Sequence, residues 1–83
     1  MTSPGIIEID LHGKNQYQAK VALDAALRKA NSGTYRIRVI HGFNHGTELR
    51  DMIRQDYSAH PKVRRIATGT NSGMTELILR ELL

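Results

Sequence analysis

Asp10 and His12 stand two positions apart at the end of an apolar run that begins at Ile6. Residues at this spacing lie on the same side of a β-strand, so the carboxylate can hydrogen-bond the imidazole, fix its tautomer and raise its basicity. A pair of this kind can serve as a general base or a general acid. The same residues also fit a structural hydrogen bond that closes the strand end, and the sequence leaves both interpretations open.

A glycine-rich segment, residues 42–46, follows a second apolar run and reads Gly-Phe-Asn-His-Gly. Its glycines allow backbone N–H groups to turn towards an anion, and it leads into a predicted helix whose N-terminus favours phosphate. The competing interpretation is a connector that needs glycine only for a sharp turn. His41, directly before the segment, is expected to meet Asp10 and His12 from the neighbouring strand. No metal ligand is predicted, because a flexible loop separates His41 from His45 and no cysteine is present to complete a site.

Two cations are placed to neutralise a phosphate. Lys14 comes two residues after His12, and Arg50 belongs to the start of the second predicted helix. Arg50 could clamp a phosphate, or it could share a solvated basic face with Arg54. The formal net charge of +4 suits a protein whose cations displace counterions from nucleic acid, although a merely soluble basic surface has the same charge.

The composition narrows the class of protein. The 83 residues make one domain, 1–83, with a core over about residues 6–82. The absence of cysteine excludes disulfides, thiolate zinc sites and cysteine nucleophiles. No apolar run approaches the ~18 residues of a membrane span, so we expect a cytoplasmic protein with no membrane partner. Tyr17, Tyr35 and Tyr57 are predicted to be packing residues, which leaves no aromatic platform for base stacking.

Hydrophobic periodicity predicts the element order β-α-β-α-β-β. The expected bounds are 6–11, 15–31, 35–40, 47–57, 63–67 and 74–82, and the last segment has a helical alternative. Right-handed crossovers make the first strands parallel, and the tight link before the last strand makes that strand antiparallel. The fold class is therefore α/β: a two-layer sandwich with a four-stranded mixed sheet and both helices on one face. Ligands of such sheets bind beyond the carboxyl ends of the parallel strands, where residues 10–14, 41–46 and 69–73 are expected to meet.

Three motifs in this order resemble those of the Smr (small MutS-related) domain family. Residues 9–13, Ile-Asp-Leu-His-Gly, are similar to its opening L-D-L-H-G motif. Residues 40–50 contain His41, Gly42, Gly46, Leu49 and Arg50 and resemble its second motif, H-G-x-G-x-G-x-L-R. Residues 71–79 resemble its closing segment, G-x-G-x-T-x-x-x-L. The similarity covers residues 7–82 or so, and it would make the chain a stand-alone, short Smr domain.

The resemblance implies a fold similar to the C-terminal domain of translation initiation factor three. It also implies binding to DNA or RNA and, in some members, endonuclease (nicking) activity. The family's functional residues would correspond here to Asp10, His12, His41, Gly42 and Gly46. Two departures affect the phosphate loop: the second motif is one residue longer than usual, with Asn44 near a glycine position, and Asn71 replaces a glycine. Asparagine tolerates left-handed backbone better than most residues, so we expect the loop shape to survive.

The sequence thus predicts a nucleic-acid-binding Smr-like domain whose candidate activity is phosphodiester hydrolysis by an endonuclease. The predicted catalytic residues are Asp10, His12 and His41. The predicted phosphate-binding residues are Gly13, Lys14, Gly42, Asn44, His45, Gly46, Arg50, Asn71 and Gly73. Two alternatives remain open: a non-catalytic module that binds structured RNA or the ribosome, and a protein-interaction adaptor. The sequence does not choose between DNA and RNA. It identifies no certain cofactor and leaves open a requirement for a divalent cation such as magnesium.

Overall fold

Six elements follow one another in the predicted order in the computed structural model of the protein, which describes residues 5–42, 47–68 and 72–81. The strands are β1 (Ile6–Asp10), β2 (Arg36–Ile40), β3 (Arg65–Thr68) and β4 (Met74–Ile78). The helices are α1 (Gln16–Lys29) and α2 (Glu48–Tyr57). The last element is thus a strand rather than a helix, and it is shorter than the predicted segment 74–82.

The four strands form one mixed sheet in the order β1-β2-β4-β3. β1 and β2 pair in parallel, while β4 pairs antiparallel with both β2 and β3. β3 therefore runs in the same direction as β1 and β2, although β4 separates it from them. The carboxyl ends of these three strands and the start of β4 meet at one edge of the sheet. We call this edge, which holds Asp10, His12, Gly42 and Gly73, the rim.

Both helices pack on one face of the sheet, as predicted, and the apolar side chains of that face form the core. Paired residues such as Ile37 of β2 and Leu77 of β4 are fully buried under the helices. The buried helical residues are Ala19, Leu23, Ala26 and Leu27 of α1 and Met52, Ile53 and Tyr57 of α2. Each large aliphatic side chain buried in this way stabilises the fold by about 1.5–3 kcal/mol. The two-layer sandwich follows from this one-sided packing.

The opposite face of the sheet carries an ion-pair network. Glu76 of β4 accepts hydrogen bonds from Arg36 Nη1 and Arg38 Nε, each at 3.0 Å. Arg38 Nη1 also lies 3.7 Å from Glu8 Oε2. The Glu76 side chain is only 9% exposed, so two guanidinium groups replace water as its partners.

One predicted packing residue lies at the surface instead. Tyr57 is buried, but Tyr17 is 76% exposed, so the prediction that Tyr17 packs is wrong. Tyr17 precedes the buried Ala19 by two positions, which is about 200° around a helix, and it therefore projects away from the sheet. Within the described ranges, no helix is long and apolar enough to cross a membrane.

Candidate active site

The Asp10–His12 pair forms at the rim where β1 ends. Between its two members, Leu11 is buried, and its N–H donates to the Ile40 carbonyl at 2.7 Å, which continues the parallel ladder by one residue. Because alternate residues of an extended chain point to opposite sides, this anchor sends both Asp10 and His12 outward. Their side chains are 53% and 71% exposed.

A single carboxylate oxygen of Asp10 receives two hydrogen bonds from His12. Asp10 Oδ1 lies 2.5 Å from His12 Nδ1 and 3.1 Å from the His12 backbone nitrogen. These hydrogen bonds hold the pKa of Asp10 below its usual value. A carboxylate only accepts, so the imidazole proton lies on Nδ1, and Nε2 has no hydrogen bond to any described residue. The arrangement presents Nε2 of a fixed tautomer to solvent, as a general base requires.

A tight turn and a capped helix hold His12 from its other side. The Lys14 N–H donates to the Leu11 carbonyl at 3.0 Å, and Gly13 in the turn has φ +80°, a conformation that glycine adopts without strain. Asn15 then caps α1: its side chain accepts from the Gln18 N–H at 2.8 Å, and the Gln18 side chain accepts from the Asn15 N–H at 3.1 Å. The side chain of Lys14 is exposed beside the pair and has no ion-pair partner among the described residues.

His41 is placed at the same edge, but it is buried and both of its ring nitrogens have internal partners. Nδ1 lies 2.8 Å from the Gly42 carbonyl, and Nε2 lies 2.8 Å from the Thr75 hydroxyl on β4. The carbonyl only accepts, so Nδ1 carries the proton and Nε2 accepts from Thr75. Because both ring nitrogens are hydrogen-bonded, this imidazole links the end of β2 to β4. Sequence reasoning gave no role to Thr75, which lies 34 positions away.

Gly42 brings the end of β2 against His12. Its φ is +73°, and a Cβ placed on it would lie 3.4 Å from His12 Cβ. The backbone N–H groups of His41 and Gly42 both donate to the Gly73 carbonyl, at 2.9 and 3.0 Å. Two predicted phosphate-binding glycines are thus joined to each other at the rim, and the Gly42 N–H is already used.

Of the remaining predicted phosphate-binding residues, the structure describes Arg50 and leaves four others outside the described ranges. Arg50 lies in the first turn of α2, where Nε and Nη2 are each 3.2 Å from Asp51 Oδ1. Asp51 also accepts from the Thr47 hydroxyl at 2.8 Å, and these contacts lower the pKa of Asp51. Arg50 is therefore paired with a carboxylate at the rim. Asn44, His45, Gly46 and Asn71 lie outside the described residues.

Within the described ranges, no group of three or more His, Asp or Glu side chains could hold a metal ion. The sequence left open a divalent cation such as magnesium. The metal-ligating groups that the described structure places at the rim are the Asp10 carboxylate, His12 Nε2 and the Asp51 carboxylate, and Asp51 already has Arg50 and Thr47 as partners.

Comparison with known proteins gives two findings. The family model of the Smr domain matches residues 9–80. The crystal structure of the Smr domain of Thermus thermophilus MutS2 is similar to this structure with a TM-score of 0.80 and 29% sequence identity, over 90% of this chain and 99% of that chain. A comparison with curated proteins found no match.

Proposed function

Because this chain belongs to the Smr domain family, we propose that it binds nucleic acid and hydrolyses phosphodiester bonds as an endonuclease, with Asp10 and His12 at the reacting phosphate. The observation that carries the proposal is the 2.5 Å contact between Asp10 Oδ1 and His12 Nδ1, which leaves the exposed Nε2 available. A charged partner on one ring nitrogen and a solvent-facing second nitrogen form the arrangement that proton transfer needs.

The reaction adds a water oxygen to phosphorus and breaks the bond to the leaving oxygen. His12 Nε2 acts at one of two points. As the neutral imidazole it takes a proton of the attacking water and the leaving oxygen is protonated by solvent; as the imidazolium it gives its Nε2 proton to the leaving oxygen and solvent takes the proton of the attacking water. In both cases the Asp10 carboxylate stabilises the imidazolium and keeps the ring in one orientation. Lys14, the exposed cation beside the pair, would offset the charge of the phosphate.

Nicking of supercoiled plasmid and cleavage of structured RNA test the proposal. His12→Ala should slow cleavage by about 10²–10⁴-fold, the range expected for a lost general acid or base. Asp10→Asn should also slow it, since the amide no longer favours the charged imidazolium. Asp56→Asn, which alters a carboxylate on α2 that pairs with Lys20 at 2.8 Å, is the matched control and should leave the rate unchanged. Undiminished cleavage by a folded His12→Ala protein would assign the activity to another site or to a contaminating nuclease.

A modified substrate separates the two roles of His12. Sulfur in place of the leaving oxygen departs without a general acid. If His12 protonates the leaving oxygen, this substrate should restore most of the rate that His12→Ala loses. If His12 activates water, the variant should stay slow with both substrates.

A second candidate, binding without turnover, is favoured by one specific observation. The Gly42 N–H, both nitrogens of the His41 ring and the Arg50 guanidinium all have partners within the protein. Among the residues that the structure describes, fewer donors are then available for the transition state than an oxyanion-type site uses. The module would hold structured RNA or the ribosome. Tight binding by wild type, with no cleavage of DNA or RNA in the presence or absence of magnesium, would support this candidate over the enzyme.

A further inference from the structure

We propose that the end of the domain opposite the rim carries a second nucleic-acid-binding surface, which holds the phosphate backbone of a duplex without reading its sequence. We call it the distal surface, and it consists of Arg28, Lys29, Lys62, Arg64 and Arg80. The proposal rests on the proposed function only in taking nucleic acid as the partner. It does not require cleavage.

The first three residues of the distal surface meet where α1 ends. The Lys62 ammonium donates to the Leu27 carbonyl at 2.6 Å, which brings the segment after α2 against the last turn of α1. Arg28 and Lys62 line one shallow hollow there together with His60 and Asp24, and the Asp24 carboxylate accepts a hydrogen bond from the Tyr57 hydroxyl. Arg28 and Lys29 belong to the last turn of α1, and both are exposed. The chain thus collects cations from two separate segments at this end.

The other two residues join the surface through the sheet. The Arg80 guanidinium donates to the carbonyl of Ser32, in the loop that follows α1. The Arg64 N–H donates to the Ile78 carbonyl at 2.8 Å, so Arg64 lies beside the end of β4. β4 runs antiparallel to the direction of β1 and β2 and begins at the rim. Its last residue, Ile78, therefore lies at the end of the sheet opposite the rim. The five residues therefore form one contiguous end of the domain.

Within the described part of the chain, two carboxylates, Asp24 and Glu81, offset the charge of the distal surface only in part. None of its five cations forms an ion pair there, and the acceptors of Lys62 and Arg80 are neutral carbonyls. Arg65 at the same end pairs with Glu81. At the rim, by contrast, Arg50 pairs with Asp51, and Lys14 lies close enough to Asp10 for its charge to act on that carboxylate. The excess positive charge of the domain thus lies away from the candidate active site, and affinity for phosphates should arise mainly from the distal surface.

The chemistry of the distal surface favours nucleic acid over an acidic protein. Protein interfaces have an apolar or aromatic centre and are poor in lysine, whereas nucleic-acid interfaces are polar and strongly positive. The large exposed hydrophobic residues of the described chain are Tyr17 and Val21, and both lie in the first half of α1, away from the distal surface. A strand of five residues is about 17 Å long, so a duplex lying along the strands would reach from the rim to the distal surface within about five base pairs.

Fluorescence anisotropy with 16-base-pair DNA and RNA duplexes, measured over a range of salt concentrations, tests the proposal. The triple variant Arg28→Gln/Lys29→Gln/Arg64→Gln removes three side chains that make no hydrogen bond or ion pair with the described residues. It should weaken binding at least tenfold and lower the salt slope by about two to three units, since each phosphate contact contributes roughly 0.9. Arg64→Gln alone should lower the slope by about one unit. Arg54→Gln removes an equally exposed cation from α2 that forms no ion pair with the described residues; it is the matched control and should leave the slope unchanged. The two duplexes identify whether the backbone is DNA or RNA, and loss of binding to either one in the triple variant supports the surface.

Several outcomes would overturn the distal surface, and they differ from those that overturn the proposed function. Wild-type affinity and slope in the triple variant, with a loss in Lys14→Gln, would place binding at the rim and leave the proposed function standing. If the triple variant binds both duplexes as wild type does but no longer binds poly-glutamate, the partner of the distal surface is an acidic protein. If wild type binds neither duplex, the distal surface fails, and the cleavage of plasmid or structured RNA decides the proposed function separately. If the triple variant loses binding while wild type never cleaves, the distal surface stands and the endonuclease proposal fails.

Discussion

Gly42 lies directly against His12: a Cβ on Gly42 would be 3.4 Å from His12 Cβ. The two residues each lie two positions beyond the end of one of two neighbouring parallel strands, and their approach joins the first and second predicted motifs into one site. Gly42 also holds φ +73°, in the region where a side chain is strained. The position therefore needs glycine for its backbone, while the space beside His12 would admit a methyl group at ordinary van der Waals distance.

Gly42→Ala should destabilise the fold by about 1–2 kcal/mol, the cost of a side chain in left-handed backbone. Gly13→Ala is the matched variant, because Gly13 has φ +80° and, apart from its chain neighbours, no described atom lies within 4 Å of its added Cβ. Urea denaturation should give similar losses for the two. A Gly42→Ala loss much larger than that of Gly13→Ala would mean that contact with His12 matters more than the backbone. Wild-type stability in either variant would contradict the prediction.

Thr75→Val should lower the free energy of unfolding by about 1–3 kcal/mol, because it leaves buried Nε2 of His41 without a partner. Thr68→Val is the control, since Thr68 is paired with Thr75 in the sheet but is exposed. That variant should change stability by less than about 0.5 kcal/mol. The nitrogen chemical shifts of the His41 ring should also show the proton on Nδ1 in wild type. Equal stabilities of the two variants would show that the hydroxyl does not hold the ring.

The elements and the Asp10–His12 pair could be predicted because both depend on neighbours in sequence. Alternation and helical spacing identify strands and helices, and a spacing of two places both side chains of the pair on one side of β1. The position of β4 between β2 and β3 could not be read this way, since no local pattern encodes which strand inserts between which. The tight link to β3 predicted only that β4 is antiparallel, which the register confirms.

Two features of the site could not be predicted from the sequence, because each depends on which side chains contact one another in the folded protein. The burial of His41 depends on Thr75, which a different strand supplies. Arg50 and Asp51 are adjacent in sequence, but the direction of a flexible guanidinium towards its neighbour depends on the Thr47 hydroxyl that orients Asp51. The exposure of Tyr17, however, was readable from its angle to Ala19 around α1.

The Asp10 carboxyl should titrate below its usual value of 3.8, because two hydrogen bonds from His12 favour the charged form. Since the pKa in the folded protein is depressed, the pair stabilises the fold above about pH 4 and stops doing so as the pH falls through the lowered pKa. Carbon-detected NMR of the Asp10 carboxyl measures the midpoint. In His12→Ala the midpoint should rise but stay below 3.8, since the backbone N–H bond remains. Lys14→Gln should raise it less, because Lys14 acts only through its charge. A midpoint unmoved by His12→Ala would contradict the observed contact.

Tyr57→Phe should destabilise the protein by about 1 kcal/mol at neutral pH, the typical contribution of one hydrogen bond. The Tyr57 hydroxyl donates to Asp24 Oδ1 at 2.7 Å and ties α2 to α1. Burial and this hydrogen bond raise the pKa of Tyr57. The stabilisation is therefore complete below about pH 10 and is lost as the pH rises through the higher pKa in the folded state. Thermal denaturation from pH 7 to 11 should show a fall in wild type that Tyr57→Phe lacks. Tyr17→Phe, at the exposed tyrosine, should behave like wild type, and an identical alkaline fall in all three proteins would exclude Tyr57 as its cause.

Lys14→Ala should weaken nucleic-acid binding and lower the salt slope by about one unit, without changing sequence preference. Arg50→Ala should have a smaller effect, although sequence reasoning gave the two residues equal roles. Arg50 must give up contacts of 3.2 Å with Asp51 before it can bind a phosphate, whereas Lys14 forms no ion pair with a carboxylate among the described residues.

Asp51→Asn should have the opposite effect. It frees Arg50 and removes a negative charge from the rim, so it should strengthen nucleic-acid binding and raise the salt slope. Anisotropy titrations of the three variants with one duplex at several salt concentrations give both quantities. A larger loss of affinity in Arg50→Ala than in Lys14→Ala would contradict this order. It would mean that Arg50 leaves Asp51 to bind the phosphate, so that nucleic-acid binding breaks the ion pair of the free protein.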